Sequence, residues 1–158
     1  MGIECSSSES CSAESITYSN HLIDRPPNSS ISFWCYNSTA AAYTYGNIST
    51  WDISIVTTLA SLFYSHCSTL STFNEPLDAW EVSSVTSLNQ ALYQASVFDQ
   101  SLASWDVSRV TDMQNFLNRA YAFSQNLVAW DTSKMVNLEA GLYQTNFNHD
   151  ISPWSLSL

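Results

Sequence analysis

One nine-residue phrase is written four times in this chain: WDISIVTTL at 51–59, WEVSSVTSL at 80–88, WDVSRVTDM at 105–113 and WDTSKMVNL at 130–138. With Trp154 included, the tryptophans that follow Trp51 come at steps of 29, 25, 25 and 24 residues. Phe73, Phe98, Phe123 and Phe147 each stand seven residues before a tryptophan, and Ile48, Leu77, Leu102, Leu127 and Ile151 each stand three before one. A fixed period of this length confines the chain to a repeat architecture, in which each unit buries its apolar side only against its neighbours.

Inside a unit the apolar spacing changes. Leu88, Ala91, Leu92 and Ala95 in one unit, and Met113, Phe116, Leu117 and Ala120 in the next, fall at i, i+3, i+4 and i+7. That spacing predicts one face of a helix of about ten residues. Thr57, Thr86 and Thr111 then stand at the N-cap, and Thr111 with Gln114 makes a capping box. Val136 takes the cap position of the fourth unit, so its helix is expected to start less well. The segment from tryptophan to cap, such as WEVSSV, reads as extended with at most a brief strand. The stretch from phenylalanine to tryptophan, such as FDQSLAS, reads as a loop. Helix packing would set the step between units at roughly 10 Å.

Residues 1–28 read as a disordered or poorly ordered leader, and 29–50, with Ile31, Trp34 and Cys35 on one helical face, as an N-terminal capping unit. Residues 51–158 hold four repeats that start at Trp51, Trp80, Trp105 and Trp130, with an incomplete fifth at Trp154. The first repeat carries four extra residues around HCSTLST (66–72), expected to bulge outward. A fifth unit begun and not built reads as a fragment or as an open end that meets something.

Four basic residues (Arg25, Arg109, Arg119, Lys134) face fourteen acidic ones, a formal net charge of −10. Nucleic-acid affinity rests on basic neutralisation of phosphates, so nucleic acid is not expected as a partner. Three dispersed glycines build neither a dinucleotide fingerprint nor a P-loop. No apolar run approaches the roughly 18 residues of a spanning helix. MGIECSSSESCSAES has neither the basic nor the apolar region of a signal peptide. Gly2 with Ser6 fits the short and frequent myristoylation pattern, without a basic cluster to add a second anchor. Asn28, Asn37 and Asn47 open glycosylation sequons. Cys5, Cys11, Cys35 and Cys67 lack zinc-site spacing and allow three disulfide pairings, between which the sequence does not choose. Cys35 and Cys67 fall beside apolar residues, where a buried free thiol is the plainest reading.

The pattern F-x-x-x-L-x-x-W-D-x-S-x-V-T-x-L-x-x-x-L-x-x-A resembles the BspA-like surface-protein repeat, the bacterial surface protein 26-residue repeat. It is carried by Trp51-Asp52-Ile53-Ser54, Trp80-Glu81-Val82-Ser83, Trp105-Asp106-Val107-Ser108 and Trp130-Asp131-Thr132-Ser133, with Tyr45-Gly46 before the first repeat. The resemblance covers about residues 30–154. It implies an α/β fold: a right-handed, leucine-rich-repeat-like solenoid of about 25-residue coils, each one short helix plus an extended segment or short strand. It also implies a cell-surface or extracellular protein, in some relatives adhesive, of otherwise unknown function. Glu81 for Asp, Val136 for Thr and the missing secretion signal depart from the pattern.

No catalytic signature emerges. Asp52, Glu81, Asp106 and Asp131 recur with the repeat and precede a serine by two, which suits turns closed on their own backbone better than a metal ladder. His21, His66 and His149 are scattered along the chain, and no metal or cofactor is expected. A two-carboxylate hydrolase is a distant third reading. Thirteen residues after each tryptophan come Tyr64, Tyr93, Asn118 and Tyr143, followed by Ser65, Gln94, Arg119 and Gln144. Tyrosine offers rigid area with a polar tip, so Tyr64, Tyr93, Tyr143, Gln94 and Gln144 form the candidate binding face. The expected function is a non-enzymatic surface module that binds protein or glycan. The alternative is a structural scaffold or spacer, part of a longer protein, with no ligand of its own. Oligomeric state is left open.

Overall fold

A computed structural model describes residues 30–64, 67 and 70–156. The expected leader, with Gly2, Cys5, Cys11, His21 and Asn28, lies outside the described residues, as do Ser65, His66, Ser68 and Thr69. Two α-helices open the described chain: α1, Ser30–Tyr36, and α2, Ser38–Tyr45. Asn37 caps α2, its Oδ1 accepting the Ala40 N–H at 3.0 Å. Gly46, at φ 78°, takes the backbone out of α2, a conformation glycine adopts without cost. Ile31 and Ala41 are buried, and Trp34 meets Phe73 edge-on at 5.3 Å. Cys35 of α1 is disulfide-bonded to Cys67, 32 residues on, so neither is the free thiol expected.

The expected α/β leucine-rich-repeat-like solenoid does not form. Among the described residues the repeats contain no α-helix and no strand; they are turns and coil, with the isolated parallel bridges Thr58↔Ser87, Ser87↔Asp112 and Asp112↔Asn137 as their only strand-like pairing. Short 3-10 turns occur at Ile48–Thr50 and Leu70–Thr72.

The misreading has a definite cause. Ala91 N donates to Leu88 O at 3.0 Å and Ala95 N to Leu92 O at 3.1 Å, closing two consecutive β-turns. The third residue of each, Gln90 (φ 55°) and Gln94 (φ 66°), is left-handed, as a type II turn requires. Both ends of such a turn point inward and its corners point out. Two in succession therefore bury 88, 91, 92 and 95, the spacing of one helix face. The pattern recurs with Asn115 and Arg119, and with Ala140 and Gln144. WEVSSV is likewise a turn, closed by Val85 N to Val82 O at 2.8 Å, and so is Leu77-x-x-Trp80, closed at 3.0 Å.

Turns win over a helix because they free alternate N–H groups for the neighbouring unit. Leu88, Gln90, Leu92 and Gln94 donate to the carbonyls of Asp112, Gln114, Phe116 and Asn118 at 2.8–3.0 Å. Met113, Asn115, Leu117 and Arg119 donate in the same way to Asn137, Glu139, Gly141 and Tyr143. An α-helix would spend those donors internally and leave the units joined by side chains alone. The step between units is accordingly the ~4.8 Å of hydrogen-bonded chains, not the ~10 Å of packed helices. The threonines are not caps. Thr86 and Thr111 each donate both N–H and hydroxyl to the carbonyl of the preceding threonine, Thr57 and Thr86. Val136 keeps only the backbone bond, to Thr111 O at 2.9 Å.

Three columns form the core. Phe73, Phe98 and Phe123 stack with ring centroids 5.8 and 6.0 Å apart. The tryptophan column is buried from Trp51 to Trp130, and Trp154 is half-buried. Each indole reaches back one unit: Trp80, Trp105, Trp130 and Trp154 Nε1 donate to the carbonyls of Ile48, Leu77, Leu102 and Leu127 at 2.8–3.1 Å. The leucine column thus supplies both apolar volume and the acceptor for the next unit's tryptophan.

Left-handed residues other than glycine carry a cost, of about 1–2 kcal/mol each. Ala140, at φ 53°, has no polar side chain to lose. Ala140→Gly is expected to raise stability by about 0.5–1 kcal/mol in urea denaturation, after the entropic cost of glycine is deducted. A helical segment there would be destabilised by the same substitution.

Candidate functional site

The second turn of each unit positions the candidate face. In Leu92-Tyr93-Gln94-Ala95 the turn ends are buried and the two corner residues, Tyr93 and Gln94, face outward and are half-buried. Tyr64 and Tyr143 occupy the same corner and are 47% and 59% exposed. Tyr64 and Tyr93 come together edge-on, with centroids 4.9 Å apart. Tyr143 does not join them, because Asn118 holds the intervening position. Asn118 is buried, its Nδ2 donating to Asn115 Oδ1 at 2.6 Å, while its Oδ1 has no partner among the described residues. Gln144 is exposed, and Arg119 lies between it and Gln94 in the column.

A polar ladder flanks the tyrosines. Asn89 Nδ2 donates to Asp112 Oδ2 at 3.1 Å and Gln114 Oε1 at 3.2 Å, and Gln114 Nε2 donates to Glu139 Oε2 at 2.9 Å. The face is therefore a pair of rings beside amides and carboxylates, a surface suited to neutral or basic polar partners.

The acids after each tryptophan close turns. Asp52, Glu81, Asp106 and Asp131 each accept the N–H of the serine two residues on, all at 3.0 Å. These serines hold the carboxyls below their ordinary range. At Asp52 the Ser54 N–H contributes most, and at Glu81, Asp106 and Asp131 the serine hydroxyl leads. Charge from the next acid along the stack opposes the shift at Glu81 and Asp106, and Lys134 assists it at Asp106 and Asp131. Depressed folded-state values mean that the stabilisation is present above the unfolded carboxyl value and lost as pH falls through the folded one. Urea stability is expected to be level near neutrality and to fall below about pH 4. A decline starting near pH 6 would contradict this.

Among the described residues no group of three or more His, Cys, Asp or Glu could hold a metal ion, and no helix is long and apolar enough to cross a membrane. Asn37 and Asn47 are exposed, each with its side-chain oxygen accepting a nearby N–H. Sequence reasoning missed Tyr36 and Tyr43 on α1 and α2, which are 89% and 95% exposed. They stand outside the repeat register, so no column pointed to them. It also missed a cavity of about 340 Å³ beside the disulfide, lined by Trp34, Asn37, Phe73 and Glu75 among others.

These features define a protein built of stacked, turn-rich units with phenylalanine and tryptophan columns in the core and a tyrosine pair at two of its turn corners. The chain belongs to the family described as Mycoplasma protein of unknown function, DUF285, whose profile matches residues 33–154. No curated protein and no solved structure matches it.

Proposed function

We propose that this protein is a non-enzymatic surface or extracellular module that binds a protein or glycan through Tyr64, Tyr93, Tyr143, Gln94 and Gln144. The observation that carries the reading is the edge-on pair of exposed Tyr64 and half-buried Tyr93, in units that also carry a row of bonded side-chain amides. Large rigid rings held at turn corners cost little entropy to bury, and repetition lets weak contacts act together. The recurring acids Asp52, Glu81, Asp106 and Asp131 are engaged in their own turns. The Cys35–Cys67 disulfide favours an oxidising, extracellular setting, in keeping with the resemblance to BspA-like surface repeats.

The test is binding of the native protein and a Tyr64→Ser, Tyr93→Ser, Tyr143→Ser variant to arrays of glycans and immobilised extracellular proteins. The variant is expected to lose binding at least tenfold and to retain the native melting temperature within a few degrees. Equal binding by both proteins would reject the tyrosine face. No binding by the native protein to any member would favour a scaffold without a ligand, a reading to which the continuous hydrogen bonding between units also lends itself.

A further inference from the structure

The tyrosine column has one member missing. Gln94 N donates to Asn118 O at 2.8 Å and Arg119 N to Tyr143 O at 2.9 Å, so the corners that carry Tyr93, Asn118 and Tyr143 stand in register on successive rungs. Tyr93 pairs edge-on with Tyr64, and Tyr143 projects at 59% exposure. Asn118 between them is 9% exposed, its amide drawn to Asn115 Oδ1. No phenol therefore fills this rung, and a notch one residue long interrupts the column. Beside it stand Gln94, Arg119 and Gln144, whose side chains bond to no described residue. At its floor Asn118 Oδ1 is a buried acceptor that no described residue satisfies, a state that calls for a donor from elsewhere.

The notch has a definite width. With a step of ~4.8 Å between hydrogen-bonded chains, Tyr93 and Tyr143 are rooted ~9.6 Å apart. A flat ring held between two aromatic faces needs contacts of ~3.5–4.0 Å on each side, roughly 7–8 Å in all. One ring fits and two do not. The ~2 Å to spare suits a puckered saturated ring, with hydrogens standing off both faces, better than a flat one. Such C–H groups meet the negative face of tyrosine favourably. The rim suits a ligand rich in hydroxyls, because the Gln94 and Gln144 amides donate and accept, Arg119 donates and Asn118 Oδ1 accepts. The net charge of −10 opposes an anionic sugar. We propose that the notch between Tyr93 and Tyr143 is a subsite for a single neutral pyranose ring of a glycan, with Asn118 as its floor. The proposal rests on the tyrosine face being the binding surface, and it narrows the ligand of that face to a neutral glycan.

The probes are the methyl glycosides of glucose, galactose and mannose, with p-cresol standing for a tyrosine side chain of a protein partner. Each is titrated into the 158-residue protein while side-chain N–H signals are followed by NMR. At least one glycoside is expected to shift the Asn118, Gln94 and Gln144 amides and the Arg119 guanidinium, and p-cresol none of them. Asn118→Tyr, which supplies the missing ring, is expected to weaken that glycoside about tenfold or more. Tyr143→Ser, a change at an exposed side chain, is expected to do the same with the fold intact. Tyr64→Ser, outside the notch, is expected to change the affinity by about twofold at most. If Asn118→Tyr does not fold, the contrast between Tyr143→Ser and Tyr64→Ser decides. No shift with any glycoside, or shifts with p-cresol instead, would overturn the notch and leave the tyrosine face to be judged by its own array binding. Glycoside binding that survives Asn118→Tyr would likewise reject the notch and keep the face.

Discussion

Trp105→Ala is expected to cost about 5 kcal/mol in chemical denaturation, at the top of the range for a buried aromatic. Trp105 lies in the middle of its column at 4% exposure, and its indole is the donor to the Leu77 carbonyl at 2.9 Å. Alanine removes the ring and leaves that buried acceptor without its bond, a penalty of about 1–3 kcal/mol within the total. Trp154 makes the equivalent bond to Leu127 but is half-buried, with one tryptophan neighbour at 6.2 Å. Trp154→Ala is therefore expected to cost about half as much. Equal losses would show that the column is not a stack of units supporting one another.

Loss of the Cys35–Cys67 bond is the second large effect. The bond closes a loop with a sequence separation of 32, for which chain-entropy arguments give about 3–4 kcal/mol. A Cys35→Ser, Cys67→Ser variant is expected to melt about 10 °C lower than the oxidised protein. The loss should fall first at the α1 end, because Trp34, which ends the phenylalanine column against Phe73, is held by the same helix. A variant melting within a degree or two of native would mean that packing alone secures α1 and α2.

The columns were legible because buried positions recur in register whatever backbone lies between them. Up to Trp130 the phenylalanine, leucine and tryptophan positions stand in the core as their register implied, whereas Phe147 and Trp154 are partly buried and Ile151 is exposed. The backbone was not legible. Successive turns bury i, i+3, i+4 and i+7 as a helix does, and the residues that distinguish the two are the left-handed ones. Glycine is the usual mark of such positions, yet this chain places Ser61, Gln90, Gln94, Asn115, Arg119, Ala140 and Gln144 there. Thr111 misled for a related reason: its hydroxyl meets a carbonyl of another unit, Thr86 O at 3.2 Å, rather than the N–H of its own turn.

At the candidate face the tyrosine corner was visible as a column, but its break at Asn118 became a buried amide only with the structure. The aspartate turns were readable because the Asp-x-Ser spacing is local. The disulfide was not, since its partners are joined by the fold of α1 over the first unit.

Through-hydrogen-bond coupling in NMR tests the turn-built stack most directly, at the amide of Gln90. The stack predicts coupling from this nitrogen to the carbonyl carbon of Gln114, in the next unit, across the 2.9 Å bond. Coupling instead to the carbonyl of Thr86, four residues back as in an α-helix, would contradict it.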